Sequence, residues 1–464
     1  MDPGKEQAGT AEPAAAAWSA RPVGGTEYSW CRAVPGGTGT TLLALRLSPR
    51  AGAATTAEAA VRSLQTAHPV LRAHLRAASN SSPTLAFPAS SVPPQLTLAP
   101  QPSALDFDSL LERELNRNPW VAADPDGAPV LFAALYDLPP PPAGGAALFV
   151  RIHTAACDRA ASAALLRELL AHLGGAGAGA ADPEAAAVEA GLEERIPKKD
   201  AWKPFWARGV DMVGYSINGL RTSTLPFVQT GTARSTQMVR LAFGRDDTAR
   251  LLDACKENGV KLCSAMAAAT LLAARQSKKL DSGQQETYST ATLINCRQFL
   301  EPPLDDHNVG FFYSAITNTH KIHGEESLWE LAKRCHDSYI HAKNSNKHLT
   351  DTADLNFLMC RAIENPQLTT ASALRTALVS VFEEPVTYDL SDLQSKAGVD
   401  DYACIATVHG IGPSVGVFDS IRDGRLDCAC MYPSPLHSRK QMQDLFDTVK
   451  RILQQGSNAS GDKF

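Results

Sequence analysis

The ten cysteines of this chain never fall at Cys-x-x-Cys spacing, and no His/Cys cluster has the spacing of a zinc site. A redox pair, a structural zinc module or any other metal site is therefore not expected, and buried free thiols are. Cys428 and Cys430 stand two apart, which on a strand puts both on one face. No run of Lys or Arg interrupts a chain of formal net charge −5 with 20% charged residues. That balance gives no electrostatic reason to expect nucleic acid or an anionic membrane as partner. No apolar run reaches transmembrane length; the longest, such as 263–274, suit a core helix. The first residues, MDPGKEQAGTAEP, have no apolar signal core. The Gly run at 36–39 has no following Lys and helix, so it is no phosphate loop. A cytoplasmic protein with no membrane span is the expectation.

What is present is globular: 464 residues, long enough for two domains, with 44% hydrophobic residues. The stretch 146–173, AALFVRIHTAACDRAASAALLRELLAHL, reads as strand, loop and helix. Leu148, Val150 and Ile152 alternate with Phe149, Arg151 and His153, as on the two faces of a strand. From Arg159 onward, Leu165, Leu166, Leu169, Leu170 and Leu173 recur at helical spacing. A His thus closes a buried strand, and Asp158 stands five residues on at a helix start, where free N–H groups favour a carboxylate.

Along the chain, residues 1–24 are rich in Ala, Gly and Pro and read as a disordered tail. Strands are expected at 40–47 and 130–135, and helices at 57–67 and 107–117. The segment HPVLRAHL at 68–75 reads as a helix resuming into a strand, and 78–104 has no clear pattern. The low-complexity stretch after Leu173 reads as a flexible loop, and 192–235 as a crossing segment. In the second half, strands are expected at 237–243, 287–296, 309–317, 402–408, 415–421 and 425–432. The last two are joined by the hairpin turn Arg422-Asp423-Gly424. Helices are expected at 246–258, 262–277, 327–343 and 438–454. This gives an N-terminal domain over 25–191, a crossover over 192–235, a C-terminal domain over 236–455 and a tail over 456–464. Strands interleaved with helices in both halves mean an α/β or α+β architecture.

Five stretches resemble the chloramphenicol acetyltransferase-like superfamily, which includes peptide-synthetase condensation domains, plant acyl-CoA-dependent acyltransferases, alcohol acetyltransferases and wax-ester synthases. They are HPVLRAHL, FVRIHTAACDRAAS (against an HHxxxDGxS signature), ATLINCRQFL, HNVGFFYSAI and the closing GIGPSVGVFDSIRDGRLDCACMYPSPLHSRKQMQDLF. They fall in the family's order from about residue 25 to 455. The resemblance implies two α/β sandwich domains with a channel between them, open to a small-molecule acyl donor and acceptor. It implies acyl-CoA as co-substrate, no resident cofactor, and a monomer. It also implies a general base at the second His of the signature, and an Asp that holds the loop, often through an Arg.

The signature departs where it matters. Aligned on Asp158, the first His is His153 and the expected base is Thr154, while the Gly after the Asp is Arg159. A Thr hydroxyl has no useful proton affinity near neutral pH; base catalysis wants a pKa near the working pH. His153 would face the opposite side of a regular strand unless a bulge re-aimed it. Other candidates are His409, a replacement base from across the cleft, and Cys157, beside the His and Asp as in a nucleophile constellation. Asp158 reads as structural, Asn295 and Arg297 as braces of the second domain, and His336 with His341 as a solvated helix face. Two functions stay open: acyl transfer from a CoA thioester to an alcohol or amine, or a catalytically inactive relative that binds a small molecule or a protein. A hydrolase using Cys157 is a third.

Overall fold

The structure, a computed structural model, describes residues 18–49, 52–76, 83–88, 96–121, 127–139, 144–175, 190–278, 280–281 and 283–461. The first half supplies α1 (Gly25–Ala33), β1 (Thr38–Leu47), α2 (Ala53–Ala67), β2 (Pro100–Pro102), α3 (Phe107–Asn116), β3 (Leu131–Leu138), β4 (Gly145–His153) and α4 (Arg159–Leu173). A crossing helix, α5 (Phe205–Arg221), follows. The second half supplies β5 (Ser235–Ala242), α6 (Arg245–Glu257), α7 (Leu262–Ser277), β6 (Glu286–Asn295), β7 (Tyr313–Ile322), α8 (Leu328–Asn344) and α9 (Thr352–Glu364). It ends with β8 (Arg375–Phe382), β9 (Val399–Val408), β10 (Gly412–Arg422), β11 (Arg425–Ser434) and α10 (Arg439–Gly461).

Two large sheets organise these elements. The first has five strands in the order β9-β1-β4-β3-β2. The second has seven, in the order β7-β6-β8-β10-β11-β5, with Val386–Tyr388 added beside β10. Pleating decides what each face meets. On β4, Leu148, Val150 and Ile152 enter one core with Val61 and Leu64 of α2 and the leucines of α4. Phe149 enters another core with Phe107, Leu110 and Leu111 of α3. In the second lobe α7 is apolar nearly all round, so it is buried between its sheet and the helices α8 and α10.

Several expectations need correction. The strand expected at 402–408 in the second domain is β9, and it pairs antiparallel with β1, Tyr402 opposite Leu45 and Ile405 opposite Leu42. The chain returns from the second lobe to complete the first lobe's sheet, so 236–455 is not one uninterrupted domain. The physical reason is the apolar strand TTLLALRL, whose N–H and C=O groups would otherwise form an open buried edge. The supposed tail 1–24 contains a strand, Trp18–Pro22, paired with Thr84–Pro88, while residues 1–17 lie outside the described residues. The last helix runs on to Gly461, past the expected end of the fold at 455. The loop expected after Leu173 lies outside the described residues from 176 to 189. The helices α5 and α9 and the strand β8 stand where no element was expected.

No helix among the described residues is long and apolar enough to cross a membrane. Among them no group of three or more His, Cys, Asp or Glu is placed to hold a metal ion. All ten cysteines are free thiols.

Candidate functional site: the cavity between the lobes

The facing surfaces of the two lobes enclose a cavity of about 500 Å³. The first lobe's sheet contributes Thr38, Gly39 and Thr41 of β1 and 404–408 of β9. The second contributes Ser289 and Leu293 of β6, Tyr313 and Thr317 of β7, and Ser380 and Phe382 of β8. Helices α1 and α9 line it with Trp30 and with Leu355, Asn356 and Met359. Ser and Thr hydroxyls alternate with aliphatic and aromatic carbon, which suits a largely uncharged ligand with a few directed hydrogen bonds.

The loop after β4 is bound to both lobes by two successive residues. Asp158 caps α4, its Oδ1 accepting from the Ala161 N–H at 2.9 Å. The same carboxylate takes Nη1 and Nη2 of Arg297 at 2.8 and 3.1 Å, and the Phe312 N–H at 2.8 Å. Arg297 is fully buried, and Asn308 O accepts its remaining Nη2 hydrogen at 3.0 Å. Arg297 therefore ties the second lobe to the first and also braces its own, through Asn308 and through Asn295, whose Oδ1 accepts its backbone N–H at 3.2 Å. Every oxygen of Asp158 is committed, so the carboxylate is not available to a substrate proton. Arg159 reaches across the cavity wall, where its guanidinium bonds Asp419 of β10 and lies 4.1 Å over the ring of Phe382. Burial raises the Asp419 carboxyl above the usual range, and Arg159 opposes that rise.

Thr154 follows β4 on a single 3-10 turn, Thr154–Ala156, and its side chain lines the cavity. Its hydroxyl shares a 3.1 Å hydrogen bond with the hydroxyl of Thr41. The contact is possible because residue 39 is a glycine. Its φ is +94°, and a Cβ there would stand 2.8 Å from the Trp30 indole and 3.2 Å from Thr154 Cβ.

His153 is elsewhere. β4 pairs with β1 in unbroken register up to Thr40–His153, so no bulge re-aims the ring. The imidazole shares the α3-side face with Phe149 and Arg151 and does not line the cavity. It accepts the Ala155 N–H on Nδ1 at 3.1 Å and meets the Trp120 ring edge-on at 5.2 Å. Burial pushes its pKa down to about 3, so the ring is neutral near neutral pH.

His409 follows β9, but its ring turns toward Gly37 and Thr236, 2.9 Å from Thr236 Oγ1, and does not line the cavity either. Burial, with Arg375 and Arg234 nearby, lowers its pKa to about 4. Cys157 does line the cavity, but its thiol points to the Asp158 carbonyl at 3.5 Å, and burial pushes its pKa far up. No thiolate is available for nucleophilic attack. His336 and His341 sit on α8, His336 half-buried beside Lys261 and His341 exposed.

The described lining therefore carries no imidazole, and its one carboxylate, Asp158, is saturated. Arg375, at the start of β8, is among the lining residues that were not recognisable from the sequence. Its N–H groups go to the carbonyls of Ala373, Val408, His409, Gly410 and Pro413. Burial, with Arg234, lowers its pKa to about 9. The one available signal was an Arg opening an apolar alternating run, which reads equally well as a solvated strand end.

Comparison with known proteins bears on the fold. Residues 232–342 match the family described as phthiocerol/phthiodiolone dimycocerosyl transferase C-terminus. No curated protein sequence matches the chain. Among solved structures, the TRI3 trichothecene 15-O-acetyltransferase from Fusarium sporotrichioides superposes with a TM-score of 0.71 at 12% identity, over 95% of each chain. Polyketide synthase associated protein 5 from Mycobacterium tuberculosis gives 0.63 at 14% identity, over 95% of this chain and 98% of that one. The EpoB NRPS cyclization-docking bidomain from Sorangium cellulosum gives 0.64 at 13% identity, over 94% and 85%. The fold is that of the chloramphenicol acetyltransferase-like and condensation-domain superfamily, as the sequence resemblance implied.

Proposed function

We propose that this chain binds an extended, largely neutral small molecule in the cavity between its lobes and does not carry out base-assisted acyl transfer. One observation carries the reading. At the position where the resembled signature has its base, Thr154 faces the cavity with its hydroxyl bonded to Thr41, and no described lining residue is an imidazole. Loss of a general base costs about 10²–10⁴ in rate. Neither His153 nor His409 stands in for it, because each is turned to the other side of the wall that carries it. What is retained is the apparatus of binding: the enclosed space, the hydroxyl-studded wall and the clamps through Asp158 and Arg159.

A second reading is acyl transfer from a CoA thioester to an amine or alcohol, with positioning alone lowering the barrier. It is favoured by the match over 232–342 to a transferase family and by the likeness to an O-acetyltransferase over 95% of the chain. An amine that reaches the cavity as its free base is nucleophilic without deprotonation, so it needs a base least. Incubation with a panel of acyl-CoAs and alcohols or amines, following release of free thiol, separates the two. Binding without turnover is the expected result. Turnover by the wild type that His153→Ala leaves unchanged would establish the second reading instead, and turnover that His153→Ala abolishes in a folded protein would make His153 a base and overturn both.

A further inference from the structure

Over its described side chains, 206–215, the crossing helix α5 is amphipathic with its faces reversed. Its inner face carries Asp211 and Tyr215, and these join Lys203 in a polar cluster on the second lobe. Lys203 Nζ lies 2.8 Å from Asp211 Oδ2, 2.7 Å from Asp351 Oδ1 and 2.9 Å from Asp354 Oδ2. Lys347 Nζ adds a 3.0 Å contact to Asp211, and the Tyr215 hydroxyl donates to Asp351. The outer face carries Trp206, Val210 and Val213, at offsets of four and three residues, exposed to 71%, 65% and 58%. Trp202, just before the helix, is 72% exposed. A surface helix ordinarily turns its apolar stripe inward, and a contiguous exposed patch with indoles in it marks a contact surface.

We propose that this face of α5 docks on the surface of an anionic lipid bilayer, holding the protein at a membrane without crossing it. Three features favour lipid. The patch is the outer side of a single helix, which a fluid surface can receive without a complementary groove. Indoles on such a stripe suit the boundary between headgroups and acyl chains. Lys198, Lys199 and Arg208, all exposed, lie in the same stretch of chain as the patch residues, with one exposed acid, Glu194. That local balance is opposite in sign to the whole chain's −5 and complements acidic headgroups. The arrangement also places the cavity beside the lipid, since Tyr215, on the inner face of the same helix, lines it. The proposal does not depend on whether that cavity binds or transfers.

The test is sedimentation of the full chain with vesicles of phosphatidylcholine alone or mixed with phosphatidylserine, at low and physiological salt. The wild type is expected to sediment with the mixed vesicles and more weakly with the neutral ones. W206S/V210S/V213S, whose side chains face solvent, is expected to keep its circular dichroism and lose about tenfold or more in affinity. K198E/K199E/R208E is expected to lose the preference for phosphatidylserine. No sedimentation of the wild type, or sedimentation unchanged by the triple apolar variant, would overturn the proposal. So would a wild-type dimer that the triple variant dissociates, in a protein that ignores both vesicles, because the patch would then be a contact between copies.

Discussion

Arg297 holds Asp158 across the boundary between the two lobes with both ends of its guanidinium, at 2.8 and 3.1 Å, and both residues are buried. The pair fixes the start of α4, and with it the turn that presents Thr154 to the cavity. Removing one partner of a buried ion pair leaves the other charge uncompensated, which costs about 3–5 kcal/mol. Asp158→Ala is expected to lower unfolding stability by about that much. Chemical denaturation followed by circular dichroism measures it. A loss below about 1 kcal/mol, the range of an exposed pair, would contradict the clamp.

Arg159 stands where the resembled signature has glycine, and its guanidinium is held by Asp419 and the Phe382 ring. Arg159→Gly strands the buried Asp419 carboxylate, so it is expected to destabilise the protein. Asp419→Asn in the same chain is expected to restore part of the loss, because the stranded charge is gone. A double-mutant cycle in urea reads the coupling, and additive effects within about 0.5 kcal/mol would mean the two residues do not interact.

Stability is expected to fall on the acid side of neutrality. Burial holds His153 at about 3, and His320, His348, His409 and His437 at about 4, against 6.5 for a free histidine. The unfolded chain therefore binds more protons than the folded one between those values and 6.5, and stability rises with pH through that window. The contribution is complete above 6.5 and is lost progressively as pH falls toward about 3 to 4. Urea midpoints that decline steadily from pH 7 to pH 5 are the expected result, with a smaller decline in a folded His153→Gln variant. A midpoint constant over that range would show that these rings reach solvent.

Much of the fold was legible because its elements obey simple periods. The alternation in 146–153 and the helical leucines after Arg159 placed β4 and α4, and alternation also predicted that His153 and Thr154 would not share a direction. Other features were illegible for physical reasons. Nothing local in DYACIATV says which sheet it joins; pairing with β1 is set by an open edge more than 350 residues earlier in the chain. Among the described side chains of α5 the core-facing positions include Asp211 and Tyr215, so no apolar stripe among them pointed to a buried face. The α9 sequence TADLNFLMCRAIE mixes cavity-lining and exposed apolar residues on different sides, which blurs its period. At the site, the identity of Thr154 was read directly, whereas its bond to Thr41 and the need for glycine at 39 depend on two distant strand ends meeting.

The absence of a free proton acceptor among the described residues of the cavity wall is tested most directly by putting one there. Thiol release from acyl-CoA, with amine and alcohol acceptors, is to be compared between the wild type and Thr154→His, both checked for folding. The expected result is no turnover above buffer in the wild type and a gain in the variant on the order of 10²-fold, the lower end of what a placed base supplies. Steady turnover by the wild type that Thr154→His leaves unchanged and His153→Ala removes would contradict it.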